Sequence, residues 1–130
     1  MVGILREVVE YSIGKGRGKV KLIIAGGRKY TFTEDDIKFL DTLVQDITEV
    51  VSGGAKGADK CGELWAKGND LPVKKFEAQW AMYGRSAGPR RNTQMANYAD
   101  AVVLFDGGRG TTNMYETALK HGLEIYDRRK

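Results

Sequence analysis

The chain has 130 residues, enough for one domain with its own core and too few for two. Its 42% hydrophobic and 29% charged residues are those of a soluble globular protein; one cysteine excludes an internal disulfide framework, and no run approaches the roughly 20 apolar residues of a membrane span. A net charge of +4 allows an anionic ligand or a nucleic acid without choosing between them, while 17 glycines clustered beside apolar runs point to functional loops. With no signal peptide visible, the expected compartment is the reducing cytoplasm.

Residues 1–18 form an extension ahead of the first strand, and "ILREVVEY" within it fits a helix, an edge strand or an arm equally. "GKGRGK" (Gly14 to Lys19) reads as a solvated linker, leaving 19–130 as the domain. "KVKLIIAGG" (Lys19 to Gly27) reads as a buried strand ending in glycines. The helix after it has Thr33 and Asp36 at capping-box spacing, and Ile37, Leu40, Val44 and Ile47 recur as one core face. "TEVVSGG" is a second strand, followed by a helix with Ala58, Cys61 and Trp65 on one side and a stop at Gly68-Asn69. "LPVKKFEA" reads as a peripheral third strand, and "GPRRNTQMANYAD" as a helix with proline near its start. Strand "AVVLF", a glycine loop, helix "TNMYETALKHG" with Gly122 as its stop and strand "LEIY" complete the domain, with "DRRK" as a frayed tail. Strand and helix alternate five times and the strands are apolar throughout. The pattern predicts an α/β fold, a single three-layer domain with a parallel sheet of about five strands and helices on both faces.

In such a sheet the strand-to-helix loops share the carboxyl edge, where ligands bind at the point of strand-order reversal. Three of those loops are glycine-rich: "AGGRKYT" with Gly26, Gly27 and Arg28; "SGGAKGAD" with Gly53, Gly54, Lys56 and Asp59; and "DGGRGTT" with Gly107, Gly108, Arg109, Gly110, Thr111 and Thr112. Each leads to a helix N-terminus, whose free N–H groups and dipole favour an anion, and Arg28, Lys56 and Arg109 add a charge to each loop. Asp59 reads either as an acceptor for a ribose hydroxyl or as an acid favouring its helix start. Glycines that merely make tight turns are the plainer reading of any one loop; three of one composition on one edge favour a nucleotide-like ligand. No standard dinucleotide or Walker fingerprint occurs. "QWAMYGRSAGPRRNTQM" sets Arg85, Arg90 and Arg91 beside Trp80 and Tyr83, either phosphate donors with stacking surfaces or a surface charge cluster with two aromatics in the core. One cysteine and one histidine, His121, do not build a His/Cys metal site, so no metal is expected.

The "GGAKGAD" turn, the "GPRRN..M" helix start and the "GGRGT" loop, in that order, resemble the YspA, cpYpsA-related branch of the SLOG superfamily from about Lys21 to Tyr126. The resemblance implies a Rossmann-like sheet of order 3-2-1-4-5 and a nucleotide or nucleotide-derived ligand, NAD- and ADP-ribose-like species included. Small stand-alone members occur in bacteria and their phages. It also implies Arg90, Arg91 and Asn92 as ligand contacts. The related LOG-type phosphoribohydrolases cleave base from nucleoside monophosphate through R-K-x-x-M and P-G-G-x-G-T-x-x-E. Here Arg91 takes the family's arginine and Gly107, Gly108, Gly110 and Thr111 its phosphate loop, but Met114 occupies the glutamate position and Asp106 the proline. A thioether is neither a base nor a charge. Glu116 stands two residues on, turned about 200° around the helix. The expectation is therefore a nucleotide-binding protein that senses or sequesters its ligand, requiring no cofactor. A divergent N-glycoside hydrolase, with Arg91 orienting the substrate and Glu116 or another acid replacing the lost base, ranks second. Single-stranded nucleic-acid binding, suggested by the similar S-G-x-A-x-G-x-D turn of the DNA-processing protein A family, ranks third. Related folds pair through helices, so a homodimer is one assembly the resemblance allows; no membrane partner is expected.

Overall fold

A computed structural model describes residues 19–130, so the expectations for residues 1–18 lie outside the described residues. Five strands form one parallel sheet: β1 (Val20–Ala25), β2 (Ile47–Ser52), β3 (Val73–Lys75), β4 (Ala101–Leu104) and β5 (Glu124–Asp127). The spatial order is 3-2-1-4-5. The predicted fold class and strand order are both present, with "LPVKKFEA" at one edge, the peripheral position expected of it.

Strands one to three grow outward on one side of β1 and four and five on the other, so the connections cover opposite faces. Helices α1 (Glu34–Leu43) and α2 (Ala58–Gly68) lie on one face, where Leu40, Ala58, Trp65 and Ala66 pack with Leu22, Ile24, Val50 and Val103. Helices α4 (Ala87–Tyr98) and α5 (Arg109–Lys120) cover the other, placing Met95, Ala96, Met114 and Ala118 on Ile23, Val51, Val102 and Leu104. Successive β1 residues feed alternate faces, the two-residue period of a pleated strand. A short helix, α3 (Trp80–Tyr83), and a 3-10 turn (Gly84–Ser86) precede α4.

Two local expectations are corrected. The first helix does not run to Ile47: it ends at Leu43, a 3-10 turn spans Val44–Asp46, and Ile47 opens β2. Ile37 is exposed, so Leu40, Leu43 and Phe39 carry the packing instead. Helical spacing continued by chance into a β-branched residue whose burial belongs to the sheet. The capping box itself is formed, with the Thr33 Oγ1 accepting from the Asp36 N–H at 3.1 Å and the Asp36 carboxylate accepting from the Thr33 N–H at 2.9 Å.

The tail "DRRK" is not frayed. The Arg128 N–H donates to the Leu104 carbonyl at 2.8 Å, and the Lys130 N–H to Asp106 Oδ1 at 2.7 Å. The Arg128 guanidinium lies 4.5 Å from the Phe39 ring centroid and 3.5 Å from Asp36 Oδ1. Charged tails read as solvated in sequence; here buried Asp36 supplies the partner that tethers one.

Burial pushes the Asp36 carboxyl up, but the Thr33 N–H, the Tyr30 hydroxyl at 2.5 Å and Arg128 outweigh it and hold it below its ordinary value. The same contact and its burial push the Tyr30 phenol up to about 12. A carboxyl lowered by folding stabilises the fold above the unfolded value of about 4, and that contribution is lost as pH falls through the lower folded value. Asp36→Asn is expected to lower stability by about 1–2 kcal/mol at pH 7, with the difference from wild type shrinking as pH falls below the unfolded value of about 4. Thermal melts on either side of that value check this; a pH-independent difference rejects the ionic role.

Candidate functional site

The order reversal falls between β1 and β4, and a cleft of about 540 Å³ opens at the carboxyl edge beside it. That volume suits a nucleotide-sized molecule. Backbone contacts between the glycine loops fix its rim: the Gly27 N–H donates to the Asp106 carbonyl at 2.8 Å, and the Ala58 N–H to the Gly27 carbonyl at 3.1 Å. Gly57 makes the second contact attainable. It has φ +74°, and a Cβ there would stand 2.2 Å from the Gly27 oxygen.

The three loops, alike in composition, do different work. "AGGR" lines the cleft through Ala25, Gly26, Gly27 and Arg28, and "DGGRGTT" through Gly108, Arg109, Gly110 and Thr111. No side chain caps α5, so its first-turn N–H groups remain for an anion. The "SGGAKGAD" loop is closed on itself: the Gly54 N–H donates to Ser52 Oγ at 3.0 Å and the Ala55 N–H to Asp59 Oδ2 at 3.2 Å. Its helix start receives the Gly27 carbonyl. Only Ala55 and Asp59 from this loop reach the cleft.

Helix α4 contributes Arg91 and Asn92. The half-buried Arg91 guanidinium donates through Nη1 to the Gly53 carbonyl at 2.7 Å. Gly53 leaves the space for it, since a Cβ there would meet Nη1 at 2.5 Å. Buried Asn92 donates through Nδ2 to Asn113 Oδ1 at 2.9 Å and to the Gly110 carbonyl at 3.3 Å, clasping α4 to the start of α5.

Four arginines line the cleft, Arg28, Arg85, Arg91 and Arg109, against a single carboxylate, Asp59. Burial raises the Asp59 pKa, partly offset by the Ala55 N–H and by Arg91. Burial draws the Arg91 guanidinium down; Asp59 opposes that, and nearby Arg28 adds to it. The positive charge is thus crowded and incompletely neutralised, a setting that an anion relieves.

Of the residues expected to contact a ligand, Gly26, Gly27, Arg28, Asp59, Arg91, Asn92, Gly108, Arg109, Gly110 and Thr111 line the cleft. Gly53, Gly54, Lys56, Arg90, Gly107 and Thr112 do not. Gly53 seats Arg91 from behind, and Arg90 lies over the Tyr83 ring at 4.2 Å with its Nε donating to Ser86. Glu116 is exposed on α5, off the cleft, while Met114 is buried at the cleft's floor in the α4–α5 core. Trp80, Arg85, Gly88, Pro89 and Asn113 line the cleft as well. Trp80 and Arg85 stood in the flagged arginine stretch, but neither aromatic there is in the core: Trp80 and Tyr83 are both exposed. Asn113 carried no signal, being a polar residue within a helix.

Among the described residues no group of His, Cys, Asp and Glu is placed to hold a metal ion, and no helix is long and apolar enough to cross a membrane. Residues 20–83 match the family model described as the YspA, cpYpsA-related SLOG family. The chain is similar to the Gene 61 protein of Mycobacterium phage D29, 29% identical over 119 residues that span 81% of this chain and 93% of the relative. No solved structure is a significant match.

Proposed function

Since this chain belongs to the YspA, cpYpsA-related SLOG family, we propose that it binds a nucleotide or nucleotide-derived molecule at the β1–β4 cleft, to sense or to sequester it. One observation carries the reading: two glycine loops and four arginines converge on a nucleotide-sized cleft that holds a single carboxylate. The uncapped start of α5 suits a phosphate, with Arg28, Arg91 and Arg109 as charge partners. Asp59, the carboxylate in the lining, would accept from a ribose hydroxyl. Isothermal titration with AMP, ADP-ribose, NAD and cyclic nucleotides should give saturable heat with at least one of them, weakening as salt rises. Silence with the whole panel sinks the reading.

N-glycoside hydrolysis stays second. Glu116 does not line the cleft, which leaves Asp59 as the acid nearest any bound sugar. Its burial-raised pKa is the one observation favouring an acid–base role. Chromatography for free base after incubation with nucleoside monophosphates separates the two readings, with Asp59→Asn rather than Glu116→Gln as the informative control.

A further inference from the structure

The chain has two tryptophans in opposite circumstances. Trp65 is buried in the α1–α2 core, its Nε1 donating to Asp41 Oδ1 at 3.0 Å. Trp80 is 49% exposed, although an indole is among the side chains that most benefit from cover. It sits at the cleft against the backbone of Gly88, where a Cβ would stand 3.3 Å from its Cη2. Neighbouring Tyr83 already carries Arg90 over its ring and does not line the cleft. Among the described residues, no ring or cation stacks on Trp80.

The lining is also chemically mixed. Beside Arg85, Arg91 and Asn92, the segment through α3 and α4 supplies Trp80, Pro89 and Met95, apolar groups with nothing to offer a phosphate. The glycine loops supply Arg28 and Arg109. A sugar phosphate alone would leave the apolar part of the cleft unfilled; a flat, apolar-faced ring joined to the sugar fills it.

We propose that Trp80 is a stacking platform for an aromatic base, so that this cleft selects base-bearing nucleotides over base-free sugar phosphates. The proposal rests on the nucleotide reading of the same cleft and narrows it. A π-face is common to all bases, so stacking sets the ligand class without fixing which base it carries. Gly88 belongs to the same device, because a Cβ there would crowd the rim of the indole at 3.3 Å.

The test titrates AMP, ADP-ribose and ribose 5-phosphate into wild type, Trp80→Phe and Trp80→Leu by calorimetry, with indole fluorescence followed in parallel. In wild type, AMP or ADP-ribose is expected to bind more tightly than ribose 5-phosphate and to quench fluorescence that Trp80→Phe lacks. Trp80→Phe, which keeps a ring, should hold base-bearing affinity within about threefold. Trp80→Leu, which keeps apolar bulk without a π-face, should weaken it at least about fivefold and leave ribose 5-phosphate unchanged. Base-bearing affinity that survives Trp80→Leu, or an equal loss for ribose 5-phosphate, overturns the stacking role and leaves the nucleotide reading standing. Binding by none of the three ligands, nor by NAD or a cyclic nucleotide, overturns both.

Discussion

Gly57→Ala is expected to cost about 3 kcal/mol of stability or more, enough to leave a marginal domain largely unfolded on warming. Three effects add. Alanine at φ +74° carries a backbone penalty of about 1 kcal/mol. Its Cβ would stand 2.2 Å from the Gly27 oxygen and 2.4 Å from the Arg28 carbonyl carbon, and neither is a flexible side chain that can swing away. Parting the loops then breaks the Ala58-to-Gly27 hydrogen bond and loads the Gly27-to-Asp106 bond beside it, each worth about 1 kcal/mol. Since those bonds form the rim of the cleft, any protein that still folds should have lost ligand affinity too. Gly108→Ala is the control: Gly108 also lines the cleft, but its φ is −104° and a Cβ there meets nothing within 4 Å. Urea unfolding of both variants checks this; a Gly57→Ala midpoint equal to wild type contradicts the close approach.

That contrast shows what composition conveys and what it hides. Parallel strands and face-covering helices were legible because burial on both faces forces apolar strands, and because Thr33 with Asp36 marks the start of α1. The glycine loops were legible as a group, and the resemblance supplied the sheet order that put two of them at the reversal point. Their division of labour was not legible. "SGGAKGAD" reads like the other two loops, but Ser52 and Asp59 consume its N–H groups locally, and no spacing rule distinguishes an acid that folds back from one that faces a ligand. Arg90 and Arg91 are adjacent and chemically identical; a helix turns about 100° between them, and only packing decides which faces the cleft. The tethered tail was hidden for a related reason. Its partner Asp36 is the N3 residue of a capping box some 90 positions earlier, and buried side-chain pairing at that range has no period to detect.

Arg91→Ala should reduce affinity for whichever nucleotide binds by about 100-fold, the largest loss expected of any single cleft arginine. Among the described residues, no hydrogen bond holds Arg28, Arg85 or Arg109 where they line the cleft, and a cation that must be ordered yields part of its gain. Arg91 is already positioned by the Gly53 carbonyl and half shielded from water, so its charge acts with less screening and less entropic cost. Arg91→Lys keeps the charge but not the planar fork that reaches the Gly53 carbonyl and a phosphate together, and should lose about 10-fold. The alanine variant also strips Asp59 of the cation that partly offsets its burial, raising a carboxyl pKa that folding already raises. A carboxyl whose folded pKa exceeds its unfolded value binds its proton more tightly in the native state. Stability therefore falls as pH rises from the unfolded value of about 4 toward the folded one. Arg91→Ala should steepen that fall, whereas Arg109→Ala, remote from Asp59's hydrogen bonds, should leave it unchanged. Calorimetric affinity together with denaturant midpoints between pH 4 and 7 separates the two roles. Wild-type affinity in Arg91→Ala would remove this arginine from the site, and an unsteepened pH dependence would show that Asp59 does not depend on it.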